Sequence, residues 1–171
     1  MQIKLRRFSI NHFNILLGWI PNAEFLFQFA GSEFSFPLTL NQVESYWLRY
    51  PERKMYSAFL NDNSPYAFGE IIPQNEESVR LGRILIGDPQ LRGKGLGLEF
   101  VKSLIDQCRI DFKVTSVDLN VLSDNIPAIR CYQRLGFRFT SEPELTLLHE
   151  GTEYRIKRMS TKLKKTNFCN A

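Results

Sequence analysis

The chain has 171 residues, 43% of them hydrophobic and 23% charged, with a formal net charge of +4 at pH 7; this fits one globular domain, residues 1–171, with a core of its own. No run of about 18 apolar residues occurs, which argues against a membrane-spanning helix, and the polar start Met1-Gln2-Ile3-Lys4-Leu5-Arg6-Arg7 leads into no signal-peptide core, so the protein is expected in the cytoplasm. The three cysteines, Cys108, Cys131 and Cys169, are odd in number and lack metal-ligand spacing, which argues against a disulfide framework and a zinc site.

In chain order, residues 3–7 read as a first strand or a cap. Residues 9–19 read as a short helix with Ser9 as its cap and Gly18 near its end, and Pro21 interrupts it. A second helix is predicted over 22–30, stopped by Gly31, and a third over 39–48. Residues 55–60 and 66–72 read as strands joined by the turn Asn61-Asp62-Asn63-Ser64-Pro65. A second turn at 73–77 leads to a strand over 79–86, giving three antiparallel strands in series. Apolar residues at Leu96, Phe100, Val101, Leu104, Ile105 and Cys108 then keep the spacing of a helix with one buried face. Residues 114–122 alternate as a strand, joined to 79–86 by this helix in a parallel, right-handed crossover. A last helix covers 126–135, with Asn125 as its cap, Pro127 in its first turn and Gly136 beyond its end. Residues from 160 onward, with Lys162, Lys164 and Lys165, read as a mobile basic tail.

Between strand 79–86 and the following helix lies Gln90-Leu91-Arg92-Gly93-Lys94-Gly95-Leu96-Gly97. Its three glycines let successive backbone N–H groups turn inward with no Cβ in the way. A helix opening there adds unpaired N–H groups and the positive end of its dipole. The segment is an anion cradle, and Arg92 and Lys94 add formal charge. Spacing separates it from two commoner phosphate loops: Asp88 and Gly95 stand where the nucleotide P-loop needs glycine and Ser or Thr, and Leu98 stands where the dinucleotide fingerprint needs its third glycine.

What the spacing does satisfy is (Gln/Arg)-x-x-Gly-x-(Gly/Ala), at Gln90, Gly93 and Gly95, after Ile84-Leu85-Ile86-Gly87-Asp88-Pro89. Downstream, Asn120-Val121-Leu122-Ser123-Asp124-Asn125-Ile126-Pro127-Ala128-Ile129-Arg130-Cys131-Tyr132-Gln133-Arg134-Leu135-Gly136-Phe137 supplies a second motif, an Asn before a short helix with Ala-Ile, then Tyr, then Gly-Phe. Together these resemble the GCN5-related N-acetyltransferase (GNAT) family over residues 66–140. The resemblance implies an α/β (α+β) acyl-CoA N-acyltransferase fold: a mixed central sheet with antiparallel N-terminal strands, splayed central parallel strands and flanking helices. It implies that the cradle, Gln90 to Gly97, wraps the pyrophosphate of acetyl-coenzyme A, and that the backbone of Ile84, Leu85 and Ile86 pairs with the pantetheine arm. Asn125, Ala128 and Tyr132 complete the expected cofactor contacts.

The function so implied is transfer of acetyl from acetyl-CoA to a primary amine of an unidentified small molecule or peptide, by direct attack in a ternary complex and without a metal. Attack on a thioester expels a thiolate, and a phenol with a pKa of about 10 can protonate it; Tyr132 is the candidate, against the alternative of a helical aromatic that simply packs. An alkylammonium with a pKa of about 10.4 must also lose a proton. Relatives use a glutamate on the strand before the cradle, but residues 78–83 hold no carboxylate, so Glu70 on the neighbouring strand is the candidate base. Asn125 has two readings, as helix cap and as cofactor ligand. His12 and His149 form no triad or metal set. A non-catalytic acyl-CoA sensor would need the cradle but not Tyr132, and a nucleic-acid binder would need a basic, aromatic-lined face. The expected partners are the amine acceptor alone, with neither nucleic acid nor membrane, in a monomer or a homodimer paired through C-terminal strands.

Overall fold

The computed structural model describes residues 3–60 and 64–163. One eight-stranded sheet carries the chain: β1 (Lys4–Arg7), β2 (Lys54–Phe59), β3 (Pro65–Asn75), β4 (Ser78–Ile86), β5 (Ser116–Leu122), β6 (Arg138–Phe139), β7 (Leu145–His149) and β8 (Thr152–Lys162). The order across it is β1-β2-β3-β4-β5-β8-β6, with β7 also paired to β8. The expected turn residues 61–63 and the tail residues 164–171, Cys169 among them, lie outside the described residues. The start of the expected tail is strand instead. Ser160, Thr161 and Lys162 pair with Asp118, Val117 and Ser116 of β5, and Leu163 is buried and donates its N–H to Thr115 O at 2.7 Å.

Local chemistry explains the helices. The expected helix 9–19 divides into a single 3₁₀ turn, Ile10–His12, capped by Ser9, and α1 (Phe13–Gly18). Asn22 caps α2 (Ala23–Ala30) by accepting from Phe25 N–H at 2.8 Å, and Gly31 at φ +63° ends it. Thr39 caps α3 (Leu40–Arg49). The turn between β3 and β4 is tighter than predicted. Asn75 Oδ1 accepts from Glu77 N–H at 2.9 Å, which lets a two-residue turn close the hairpin and leaves Pro73 in the strand opposite Val79.

Two cores form on the two faces of the sheet. On one, α4 (Leu96–Phe112) buries Leu96, Phe100, Val101, Leu104, Ile105 and Cys108 against β2 to β5 and against α5 (Ile126–Arg134). On the other, α1 to α3 bury Leu16, Leu26, Val43 and Tyr46 against Met55, Phe68 and Leu85. Gly69 lets α4 sit directly on β3: a Cβ there would lie 2.9 Å from Leu104 Cδ1 and 3.0 Å from Phe100 Cζ.

The feature that matters most is where β4 and β5 part. Their parallel pairing runs only from Ser78↔Ser116 to Leu81↔Leu119. Beyond it, β4 continues to Ile86 alongside β3, and β5 continues to Leu122 alongside β8. The backbone edges of residues 82–86 and 120–122 therefore face each other across a wedge.

Candidate active site

The cradle stands at the open end of that wedge. After Ile86, Asp88 Oδ1 accepts from Gln90 N–H at 2.8 Å and nucleates a short 3₁₀ turn, Pro89–Leu91. Gly93 (φ +73°) and Gly95 (φ +84°) both adopt the left-handed region that L side chains avoid. Gly95 is the N-cap of α4, with no side chain bonded over the helix end, so the first N–H groups of the helix have no partner within it. Gln90, Arg92, Gly93, Lys94 and Gly95 are exposed, whereas Leu96 is buried and Leu91 partly so. The two leucines thus anchor the cradle and offer only backbone to a ligand. Arg92 does more than add charge: its Nε and Nη2 donate to Ile86 O at 3.1 and 3.0 Å, clamping the loop to the end of β4.

Along the wedge, Ile84 and Ile86 pack toward α4, while Leu85 is buried on the opposite face. At Gly87 the chain passes beneath Trp19, whose ring atoms would lie 2.0 Å from a Cβ placed there.

On the β5 side, Asn125 Oδ1 accepts from Ala128 N–H at 3.3 Å, which is the capping role. The side chain is exposed, so its amide NH₂ stays open to a ligand. Replacing Asn125 with Ala is expected to cost about 1 kcal/mol, lowering Tm by about 2–4 °C for a chain of this size; thermal denaturation measures it. About two turns on, Tyr132 lies in the α4-side core at 8% exposure, its ring centroid 6.0 Å from that of Phe137. Burial raises the phenol's pKa above its ordinary value, which keeps it protonated at neutral pH. The same effect pushes Cys108 up to about 12 and raises Cys131, leaving neither as a ready thiolate.

Glu70 lies on the α1–α3 face of β3, fully buried. Its two carboxylate oxygens accept from the Tyr46 hydroxyl at 2.9 and 3.0 Å, and Arg83 forms an ion pair with one of them. Burial raises its pKa, against the opposing pull of Arg83 and Tyr46. The partners escaped the sequence reading, and Arg83 more than the others had a visible signal. Leu85 pairs with Phe68 but Gly82 with Glu70, so two residues of β4, Arg83 and Ile84, oppose Gly69 alone, and Arg83, at φ +50°, is the extra one. A glycine inside a strand, here Gly82, marks such a bulge. Among the described residues no group of three or more His, Cys, Asp or Glu side chains is placed to hold a metal ion, and no helix is long and apolar enough to cross a membrane.

Comparison with known proteins meets this geometry. The model of the acetyltransferase (GNAT) family matches residues 22–137. A spermine/spermidine N(1)-acetyltransferase of Bacillus subtilis is 35% identical over 81 residues, 45% of this chain and 53% of that protein. An aminoglycoside N(6')-acetyltransferase type 1 of Klebsiella pneumoniae is 35% identical over 65 residues, 37% of this chain and 32% of that protein. The chain thus spans about half the length of the first of these curated relatives and about a third of the second. The crystal structure of a spermidine N-acetyltransferase from Vibrio cholerae, in complex with CoA and spermine, superposes with a TM-score of 0.77 at 17% identity, covering 94% of this chain and 95% of that one.

Proposed function

The chain belongs to the acetyltransferase (GNAT) family, and from that premise we propose that it transfers the acetyl group of acetyl-CoA to a primary amine of a small molecule, by direct attack in a ternary complex. The observation that carries this reading is the junction of wedge and cradle: β4 loses its pairing with β5 from Gly82 onward, and the loop leaving its far end opens α4 at Gly95. A ligand with an amide-bearing arm and a pyrophosphate matches both parts at once.

In this reading the backbone from Gly93 to Gly97 holds the pyrophosphate, with Gln90 and Lys94 at its rim and Arg92 bracing the loop. The backbone edge of Ile84, Leu85 and Ile86 pairs with the pantetheine amides and polarises the thioester carbonyl. Asn125 and Ala128 border the arm from the β5 side. The amine nitrogen forms the new C–N bond as the C–S bond breaks, Tyr132 gives its proton to the departing thiolate, and the proton lost by the amine passes to solvent, from which Tyr132 regains its own. Alignment of amine and thioester supplies most of the rate. Polyamines and aminoglycosides, named for the two curated relatives, form the first panel of acceptors to test.

Calorimetric titration with acetyl-CoA tests the reading. Wild type is expected to bind with a Kd on the order of micromolar, about −8 kcal/mol. Gly95→Glu sets a carboxylate against the pyrophosphate and a side chain at φ +84°; it should show no heat of binding while keeping its circular dichroism. No binding by wild type would overturn the proposal.

A further inference from the structure

Among the described residues Glu70 is the only charged one that is buried, and the group around it is closed. The Tyr46 hydroxyl donates to the Glu70 carboxylate and in turn accepts from Arg83 Nη1 at 2.8 Å and from Arg53 Nη1. The Arg83 guanidinium lies over the rings of Tyr46 and Phe34, at 4.6 and 5.5 Å, and its side chain is only 9% exposed. Arg53 stacks on Tyr50 at 3.7 Å. The arrangement leaves Nε of both arginines buried without a hydrogen-bond partner, that of Arg53 lying 3.8 Å from Glu52 Oε1, so it does not fully satisfy the arginines themselves. What it does fix is the position of one backbone: residue 83, left-handed and not glycine, at the place where β4 has lost β5 as a neighbour.

We propose that Tyr46, Glu70 and Arg83 act as one positioning unit, which holds the β4 bulge in the shape that presents Ile84, Leu85 and Ile86 to the cofactor arm. The inference rests on the acetyl-CoA reading above and gives Glu70 a role other than the base expected from the sequence. A left-handed non-glycine residue persists only where its surroundings over-determine it. Past Leu81 the only strand β4 pairs with is β3, and the extra residue interrupts that pairing as well. The side chain of Arg83, fastened to α3 through Tyr46 and to β3 through Glu70, supplies the missing constraint.

The test compares two ligands by calorimetry: acetyl-CoA, which needs arm and cradle, and 3′-phospho-ADP, which needs the cradle only. Tyr46→Phe and Glu70→Gln should each weaken acetyl-CoA binding about tenfold or more, with 3′-phospho-ADP unaffected. The double variant Arg83→Gly, Glu70→Gln should return acetyl-CoA affinity to within about threefold of wild type, because glycine takes the left-handed conformation without strain. Single variants that bind acetyl-CoA like wild type, a double variant as weak as Glu70→Gln, or loss of 3′-phospho-ADP binding as well would each overturn the positioning role. A Glu70 acting as base predicts unchanged affinities, with kcat lost in Glu70→Gln and not recovered in the double variant. Wild type that binds neither ligand would instead sink the acetyl-CoA reading itself.

Discussion

Tyr132→Phe is expected to lower kcat by about 10²- to 10³-fold, within the range that a positioned general acid contributes, while leaving the affinity for acetyl-CoA nearly unchanged. The ring packs against Phe137 in the α4-side core, and Phe fills the same volume, so the substitution removes a hydroxyl and little else. Burial holds that hydroxyl's pKa above its ordinary value, so at neutral pH it is present in the protonated form that a donor to the departing thiolate requires. Without it water must protonate the sulfur from a less favourable position. Steady-state kinetics with a polyamine or aminoglycoside acceptor, run beside a melting curve, checks the expectation. A variant that matches wild-type kcat would assign Tyr132 to packing.

The largest expected effect on stability is that of Phe100→Ala, about 3–5 kcal/mol. The side chain is completely buried, and its ring seats on the backbone of β3 where Gly69 leaves no Cβ. Close neighbours on both sides leave little room for collapse around the cavity. Domains of ordinary size hold only about 5–15 kcal/mol in total, so this one truncation removes a large part of the margin. Urea denaturation measures it as a drop in midpoint at constant slope. A loss below about 1 kcal/mol would show that α4 and β3 close over the gap. The effect bears on function because α4 carries the cradle at its first turn: the residue that seats the helix also aims its N-terminus.

What could be read from the chain and what could not divides along sequence distance. The cradle was legible because all its parts are neighbours: the left-handed conformations of Gly93 and Gly95, the helix opening at Gly95 and the buried Leu96 all lie within four residues. Helix α4 followed from its apolar spacing, and the caps Ser9 and Asn125 from residue type and position. Glu70 could be placed on its strand, but not its surroundings, since Tyr46 comes from a helix 24 positions earlier and its hydrogen bond depends on how α3 lies across the sheet. The strand β6 has two residues and no pattern to detect. The β7–β8 hairpin depends on Glu150 and Gly151, both at positive φ, and an Glu-Gly pair is a weaker turn signal than Asn-Gly or Asp-Gly. The end of β8 was misread because Ser160, Thr161 and Lys162 are polar, although β5 on one side supplies their pairing.

The wedge also makes the stability of the folded chain depend on what fills it. Backbone groups that a regular sheet would pair internally must here be served by water whenever the cofactor is away. A ligand that satisfies them binds the folded chain and not the unfolded one, adding about 2.7 kcal/mol at a hundred times its Kd. That increment is comparable to the margin separating a long-lived protein from one that proteases clear.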